Sequence, residues 1–301
     1  MPDPPSGCRA PMRCACIDIG TNTTRLLVAE EGPGGLRVLA QERAFTELGD
    51  LSELPAAKID EVARAVEHHA ALARSLDAAR FRVVATGAVR TASNREELLE
   101  AVREAGGLEV EVLDPAEEAT LAFAGALAAM RPAPEGSVAV AVVDVGGGST
   151  ELAIGSAPGG VYYTASMPIG SGRLTDGLVE HDPPRSEELD RIRAHAVAAW
   201  EELGELPEVD VALAVGGSAA SLPRLVGERL DEGAVGQALG ALVGAPASEV
   251  AERFGLDARR VALLPAGLII LEAGAARLRR PLEVGRGGLR EGVVLGLLEP
   301  A

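Results

Sequence analysis

The run Cys16-Ile17-Asp18-Ile19-Gly20-Thr21-Asn22-Thr23-Thr24-Arg25-Leu26-Leu27-Val28 returns, altered, as Val142-Val143-Asp144-Val145-Gly146-Gly147-Gly148-Ser149-Thr150-Glu151-Leu152-Ala153-Ile154. Each copy is an apolar strand ending in Asp-x-Gly, a turn of small hydroxyl or glycine residues, and a second strand with apolar residues at alternate positions. Both predict a β-hairpin with a carboxylate at its tip. Glycines leave backbone N–H groups uncovered and hydroxyls add donors, so such a tip can wrap phosphate oxygens. The Asp beside it can hold Mg²⁺ against those oxygens, commonly through water.

Spacing sets aside two other glycine-rich motifs. Gly146-Gly147-Gly148 is not a dinucleotide fingerprint, because Leu152-Ala153-Ile154 continues as a strand where that motif needs a helix. It is not a P-loop either, since no Gly-Lys-Ser/Thr follows. Ordinary glycine turns would account for one copy; two copies sharing Asp, Gly, a hydroxyl and Leu in register favour phosphate binding.

The 301 residues suffice for two domains, and the duplicated hairpin marks the second. We expect a tail over residues 1–13, one domain over 14–133 and another over 134–301, with the last helix a candidate to pack on the first. The chain is rich in Ala, Gly, Leu and Val and only 2% aromatic, which implies small-aliphatic cores at close helix–sheet contact, hence α/β layers. A net charge of -17 repels polyanions and excludes nucleic acid as a partner, so a phosphorylated substrate must be captured by local arginines. Lys58 is the only lysine among 28 basic residues, a sign of GC-rich coding, so an Arg is not functional by type alone. No run of about 18 apolar residues predicts a membrane-spanning helix, and no membrane partner is expected. The N-terminal tail lacks the apolar core of a signal peptide and is expected to be disordered, with Met12 a candidate start. Cys8, Cys14 and Cys16 match no common zinc spacing, and Cys14-x-Cys16 points to one face of a strand. They read as small hydrophobes in a reducing cytoplasm.

Strands are expected near Cys14–Ile19, Arg25–Glu30 and Leu36–Gln41, then a helix through Ile59, Val62, Val66, Ala70 and Ala73 with Pro55 at its start. His68 and His69 on that helix lack a matching ligand pair and read as surface residues. Phe81–Thr86 is a strand; Asn94 caps a helix over Arg95–Ala105 that Gly106-Gly107 ends; Glu109–Leu113 is a strand. Asp114-Pro115-Ala116-Glu117 opens the next helix with a cap, an N1 proline and an acid at N3. That occupies Glu117 and leaves Glu118, about 100° round the helix, without a capping role. Arg131–Gly136 breaks the pattern. Beyond the second hairpin, Val161–Ser166 and Val209–Val215 read as strands, and Glu187–Leu203 and several segments up to Arg279 as helices.

The separated motifs Asp18-x-Gly-Thr-Asn-Thr-Thr-Arg25, Ala85-Thr-Gly-Ala-Val-Arg90, Glu117-Glu118-Ala119, Asp144-Val-Gly-Gly-Gly-Ser-Thr-Glu151, Gly170-Ser-Gly-Arg173, Val215-Gly216-Gly217-Ser218, Leu264-Pro-Ala-Gly267 and Gly288-Leu-Arg290-Glu291-Gly292 stand in this order. Together they resemble the exopolyphosphatase / guanosine pentaphosphate phosphohydrolase (Ppx/GppA) family of the actin-like ATPase superfamily. The resemblance implies two actin-like (ribonuclease H-like) α/β domains with mixed sheets and an active site in the cleft between them. It also implies hydrolysis of a terminal phosphoanhydride of inorganic polyphosphate or, alternatively, of guanosine pentaphosphate. By it, Glu118 matches the catalytic glutamate acting on the attacking water. Asp144 and Glu151 match the acidic pair linked to Mg²⁺ (or Mn²⁺) and water, while Asn22, Arg25, Arg90, Gly146, Gly147, Gly148 and Ser149 match phosphate-contacting positions. We add Thr23, Gly217 and Ser218 to the phosphate-binding set, Arg173 because a Gly-Ser-Gly loop precedes it, and Asp18 as a second metal ligand. A homodimer is a further expectation.

Each role has a structural alternative. Asp18 and Asp144 could cap their turns, Arg90 and Arg173 could lie on the surface, Glu291 suits pairing with Arg290 or capping its helix, and His181-Asp182 reads as loop. Thr120 stands where similar sequences often carry Arg, and a C-terminal HD-like domain like that of larger members is not expected. A kinase-like ATP user and a non-catalytic sensor are the rival functions; the first lacks a visible base pocket, and the second would be expected to lose the acidic set.

Overall fold

A computed structural model of the chain describes residues 11–49, 51–130, 136–157 and 159–299. Most of the expected tail, Cys8 and the expected domain boundary lie outside the described residues. The first half runs β1 (Arg13–Ile19), β2 (Thr23–Gly32), β3 (Gly35–Phe45), α1 (Ala56–Ser75), β4 (Arg80–Ala85), α2 (Gly87–Thr91), α3 (Arg95–Gly106), β5 (Val110–Val112) and α4 (Pro115–Ala129). Its sheet has the order β3-β2-β1-β4-β5, an antiparallel meander extended by two parallel strands. The second half runs β6 (Val138–Val145), β7 (Thr150–Ala157), β8 (Gly160–Met167), α5 (Ser171–Leu178), α6 (Ser186–Glu202), β9 (Val211–Val215) and α7 (Gly216–Ala219). After a 3₁₀ turn (Leu222–Arg224) come β10 (Arg229–Leu230), α8 (Glu232–Val243), α9 (Ala247–Phe254), α10 (Ala258–Leu278), β11 (Leu282–Val284) and α11 (Leu289–Leu298). Its sheet is β10-β11-β9-β6-β7-β8. Without the edge strand β10, the second sheet repeats the first strand for strand.

The duplication reaches individual atoms. Asp18 pairs across the first hairpin with Arg25, and Asp144 across the second with Glu151. Gly20 N–H donates to the Thr23 carbonyl and Gly146 N–H to the Ser149 carbonyl, both at 3.0 Å.

Packing places the site. One face of the first sheet buries Ile17, Ile19, Leu26 and Val28 against Val62, Val66 and Ala70 of α1 and Leu98 and Val102 of α3. Side chains alternate along a strand, so Cys14 and Cys16 face the other way, under Val293 and Val294 of α11. The second sheet packs α6 and α10 on one side around Trp200. On the other side it packs Ala119, Phe123 and Ala126 of α4 against Val140, Val142 and Leu213. Thus α4, from the first half of the chain, covers the second sheet, while α11, from the last residues, covers the first. The two helices cross on glycines: a Cβ on Gly125 would overlap the Gly288 carbonyl, and one on Gly292 the Leu121 carbonyl.

Three expectations need correcting. His69 is buried, not on the surface, because Glu42 of β3 and the Thr24 carbonyl lie against it. Asn94 does not cap α3 with its side chain; it spans to Leu54, accepting from its N–H at 2.8 Å and donating to its carbonyl at 3.0 Å. Finally, α10 is long and apolar enough to cross a membrane by composition, but most of it is buried between α6, α5, α8 and α9, as in a core helix.

Candidate active site

The two hairpin tips meet between the sheets around a cavity of ≈ 250 Å³. Their contact is close enough to require glycine. A Cβ on Gly147 or on Gly172 would stand 2.6 Å from Asn22 Nδ2, and one on Gly148 2.7 Å from Thr21 Oγ1. Neither tip could approach the other with ordinary side chains there. The carbonyls of Gly146 and Gly147 accept from Ser171 and Arg173 N–H at the start of α5, both at 2.9 Å. No such bond engages the N–H groups of Gly147 or Gly148 among the described residues, so these donors are available to an anion.

The cavity wall holds Asp18, Asn22, Thr23 and Arg25 from the first hairpin and Asp144 and Gly146 to Glu151, except Thr150, from the second. Glu118 and Gly217 complete the expected set there. Glu118 enters because Asp114 and Glu117 fix the start of α4: the Asp114 carboxylate accepts from Ala116 and Glu117 N–H, and Glu117 accepts from Asp114 N–H. Arg90 Nη1 bonds Glu118 Oε2 at 3.0 Å and the Leu113 carbonyl at 2.9 Å, locking the carboxylate. Glu151 Oε1 accepts from Ser166 Oγ at 3.0 Å, and Ser149 beside it also favours the charged carboxylate.

Burial dominates the electrostatics. It raises the Glu118 carboxyl well above its ordinary range, aided by the Glu151 charge and opposed by Arg90. Burial likewise pushes Glu151 up to about 7 and Asp144 up to about 6. On the cationic side, burial and then Arg25 push Arg260 down to about 9, and burial and then Arg290 lower Arg25. Among the described residues neither Arg25 nor Arg260 makes an ion pair. The cavity therefore sets acids that are costly to ionise beside arginines without counter-ions, a division that an anion with a hard cation would neutralise on both sides.

Asp18 Oδ1 is buried with no hydrogen-bond partner, and the Asp18 charge adds to the burial that raises the cost of ionising Asp144. A Cβ on Gly216 would overlap Asp144 Oδ1, so the carboxylate occupies a cradle only glycine leaves open. This all-oxygen donor set suits Mg²⁺ or Mn²⁺.

Other expected residues sit elsewhere. Arg90 and Arg173 line a neighbouring opening with Gly148 and Ser149, beside the cavity and not in its wall. Ser218 is fully buried, its Cβ and Oγ packed so closely on Gly267 that any side chain there would clash. The backbone of Gly216 and Gly217, not the serine, reaches the cavity. Glu291 caps α11 through Gly288 N–H at 2.9 Å yet also lines the cavity, and Arg290 reaches back to the Leu26 carbonyl at 3.3 Å and does not pair with Glu291. Sequence reasoning missed Arg260 and Arg290. Arg260 lies against Gly217 from the first turn of α10, beside an Arg259 that turns outward toward Glu47. Nothing in the run Asp257-Ala-Arg-Arg distinguishes the two.

A model of the Ppx/GppA phosphatase family matches residues 27–301. Exopolyphosphatase 1 of Mycobacterium tuberculosis is 29% identical over an alignment covering 96% of this chain and 89% of its own length. Among solved structures, the Ppx/GppA family member of Aquifex aeolicus has a TM-score of 0.78 at 29% identity, covering 96% of this chain and 98% of that one. An exopolyphosphatase from Cytophaga hutchinsonii shares the fold with a TM-score of 0.84 at 21% identity, covering 95% and 98%.

Proposed function

The chain belongs to the Ppx/GppA phosphatase family, and on that premise we propose that it is an exopolyphosphatase, releasing orthophosphate from the end of inorganic polyphosphate. It is built of two actin-like α/β domains. The observation that carries the reading is the union, in one cavity, of two phosphate-type hairpin tips, the buried carboxylates Glu118 and Glu151, and the unpaired Arg25 and Arg260. Tips and arginines would grip the terminal phosphoryl group and neutralise charge on its oxygens, the main requirement of phosphoryl transfer. Glu118, held by Arg90, would take a proton from the attacking water as the water oxygen bonds phosphorus and the bridging P–O bond breaks. Its raised proton affinity makes it a stronger base than an exposed carboxylate. Glu151, held by Ser166, would orient the same water. Asp144 and Asp18 are the residues we assign to Mg²⁺ or Mn²⁺, which when bound supplies charge neutralisation at phosphate oxygens.

Guanosine pentaphosphate is the weaker substrate reading, since no residue lining the cavity is aromatic and none offers a stacking surface to guanine. Phosphate release measured with Mg²⁺ against polyphosphates of several lengths, guanosine pentaphosphate and ATP tests the choice. Polyphosphate should be turned over fastest; preference for either nucleotide would reject the reading.

A further inference from the structure

Away from the cavity, strand β3 at the sheet edge and helix α1 bring Glu42, His68 and His69 together, with ligand atoms all within 4.8 Å of one another. Glu42 Oε2 stands 3.0 Å from His68 Nε2 and 3.6 Å from His69 Nδ1. The His69 side chain is 2% exposed, against 40% for Glu42 and 69% for His68. His69 Nε2 lies 3.3 Å from the Thr24 carbonyl oxygen. A carbonyl only accepts, so Nε2 carries the ring proton, and Nδ1 of the neutral ring presents a lone pair. That Nδ1 is buried without a hydrogen-bond partner.

A ring lone pair and a carboxylate oxygen thus face each other at 3.6 Å, an arrangement that repels unless a cation joins them. Two ligands each about 2.1 Å from a zinc-like ion, at tetrahedral to trigonal angles, stand about 3.4–3.6 Å apart. An imidazole that gives its other N–H to a backbone carbonyl is also the usual support of a metal-bound histidine. The shorter separation, to His68, involves an exposed ring with room to rotate.

We propose that Glu42, His68 and His69 form a binding site for a divalent transition metal of the Zn²⁺ class, with water completing the coordination. Two imidazoles select such ions over Mg²⁺ and Ca²⁺, so the site is chemically distinct from the all-oxygen set in the cavity. It would clamp β3 to α1. Through His69 it would also brace Thr24, which sits between the cavity residues Thr23 and Arg25. The inference does not depend on the hydrolase reading.

Titration of the full chain, stripped of metal, with Zn²⁺ in excess Mg²⁺ tests it calorimetrically, the Mg²⁺ masking the cavity carboxylates. About one Zn²⁺ per chain should bind. Glu42→Gln and His68→Ala alter exposed side chains, and each should weaken binding more than about tenfold, whereas Glu151→Gln should leave it unchanged. Failure of the wild type to bind Zn²⁺ under these conditions would overturn the proposal, showing His69 and Glu42 to be a plain polar contact. Binding that survives Glu42→Gln and His68→Ala, or that is lost in Glu151→Gln, would overturn it equally by placing the ion elsewhere.

Discussion

At the scale of single residues, the duplicated hairpins diverge where it matters. Asp18 and Asp144 occupy equivalent positions, but the residue opposite each is Arg25 in one copy and Glu151 in the other. Equivalent positions in the two hairpins thus carry a cation in one and a carboxylate in the other, which on the proposed function would serve the substrate and the water respectively. The cost falls on Glu151, whose buried carboxyl is raised from 4.5 to about 7. A carboxyl that binds its proton more tightly folded than unfolded contributes stability while protonated. That contribution is lost as pH rises from about the unfolded value through the folded one. We therefore expect metal-free wild type to lose thermal stability relative to Glu151→Gln between about pH 4.5 and pH 7. Melting temperatures of both proteins in chelator across that range check this; a difference that stays constant with pH would contradict the assigned shift.

At the scale of elements, the crossing of α4 and α11 decides where Glu118 points. Backbone meets backbone at Gly125, Gly288 and Gly292, so the helix that carries Glu118 is packed directly on the one that carries Arg290 and Glu291. Gly125→Ala should force them apart, costing about 1–3 kcal/mol of stability by overpacking and lowering turnover without touching the substrate. Denaturant unfolding alongside kinetics measures both, and wild-type values in each would show the contact to be slack. The capping box that frees Glu118 was legible in Asp114-Pro115-Ala116-Glu117, as were the hairpins and α1, because their signals are local: cap, turn chemistry and periodicity. The roles of Arg260, Arg290 and His69 were not. Their partners, Gly217, the Leu26 carbonyl and Glu42, come from distant segments, and a residue's neighbours across a fold leave no trace in its own sequence context. Ser218 failed for the converse reason: its motif reaches the cavity through glycine backbone, while the hydroxyl turns into the core.

At the scale of the whole molecule, a chain of net charge -17 must still draw in a polyanion. A second groove of ≈ 360 Å³ continues from the cavity, sharing Arg25, Arg260 and Arg290 and adding Arg43 and Arg224. Within a Debye length of about 8–10 Å such a strip outweighs more distant acids. KM for long polyphosphate should accordingly rise with salt, and Arg43→Ala with Arg224→Ala should raise it for long chains, leave triphosphate little affected and flatten the salt dependence. Salt-independent KM, or equal effects on both lengths, would place the chain elsewhere. The central claim, that both domains converge to make Glu118 the water-activating base of a polyphosphate hydrolase, is tested most directly by phosphate release from polyphosphate by Glu118→Gln beside Glu117→Gln, with binding measured in parallel. The account predicts that Glu118→Gln binds polyphosphate normally but turns over slower by about two to four orders of magnitude, while Glu117→Gln loses only part of a helix cap. Near-wild-type turnover by Glu118→Gln, or an equal loss in both variants, would contradict it.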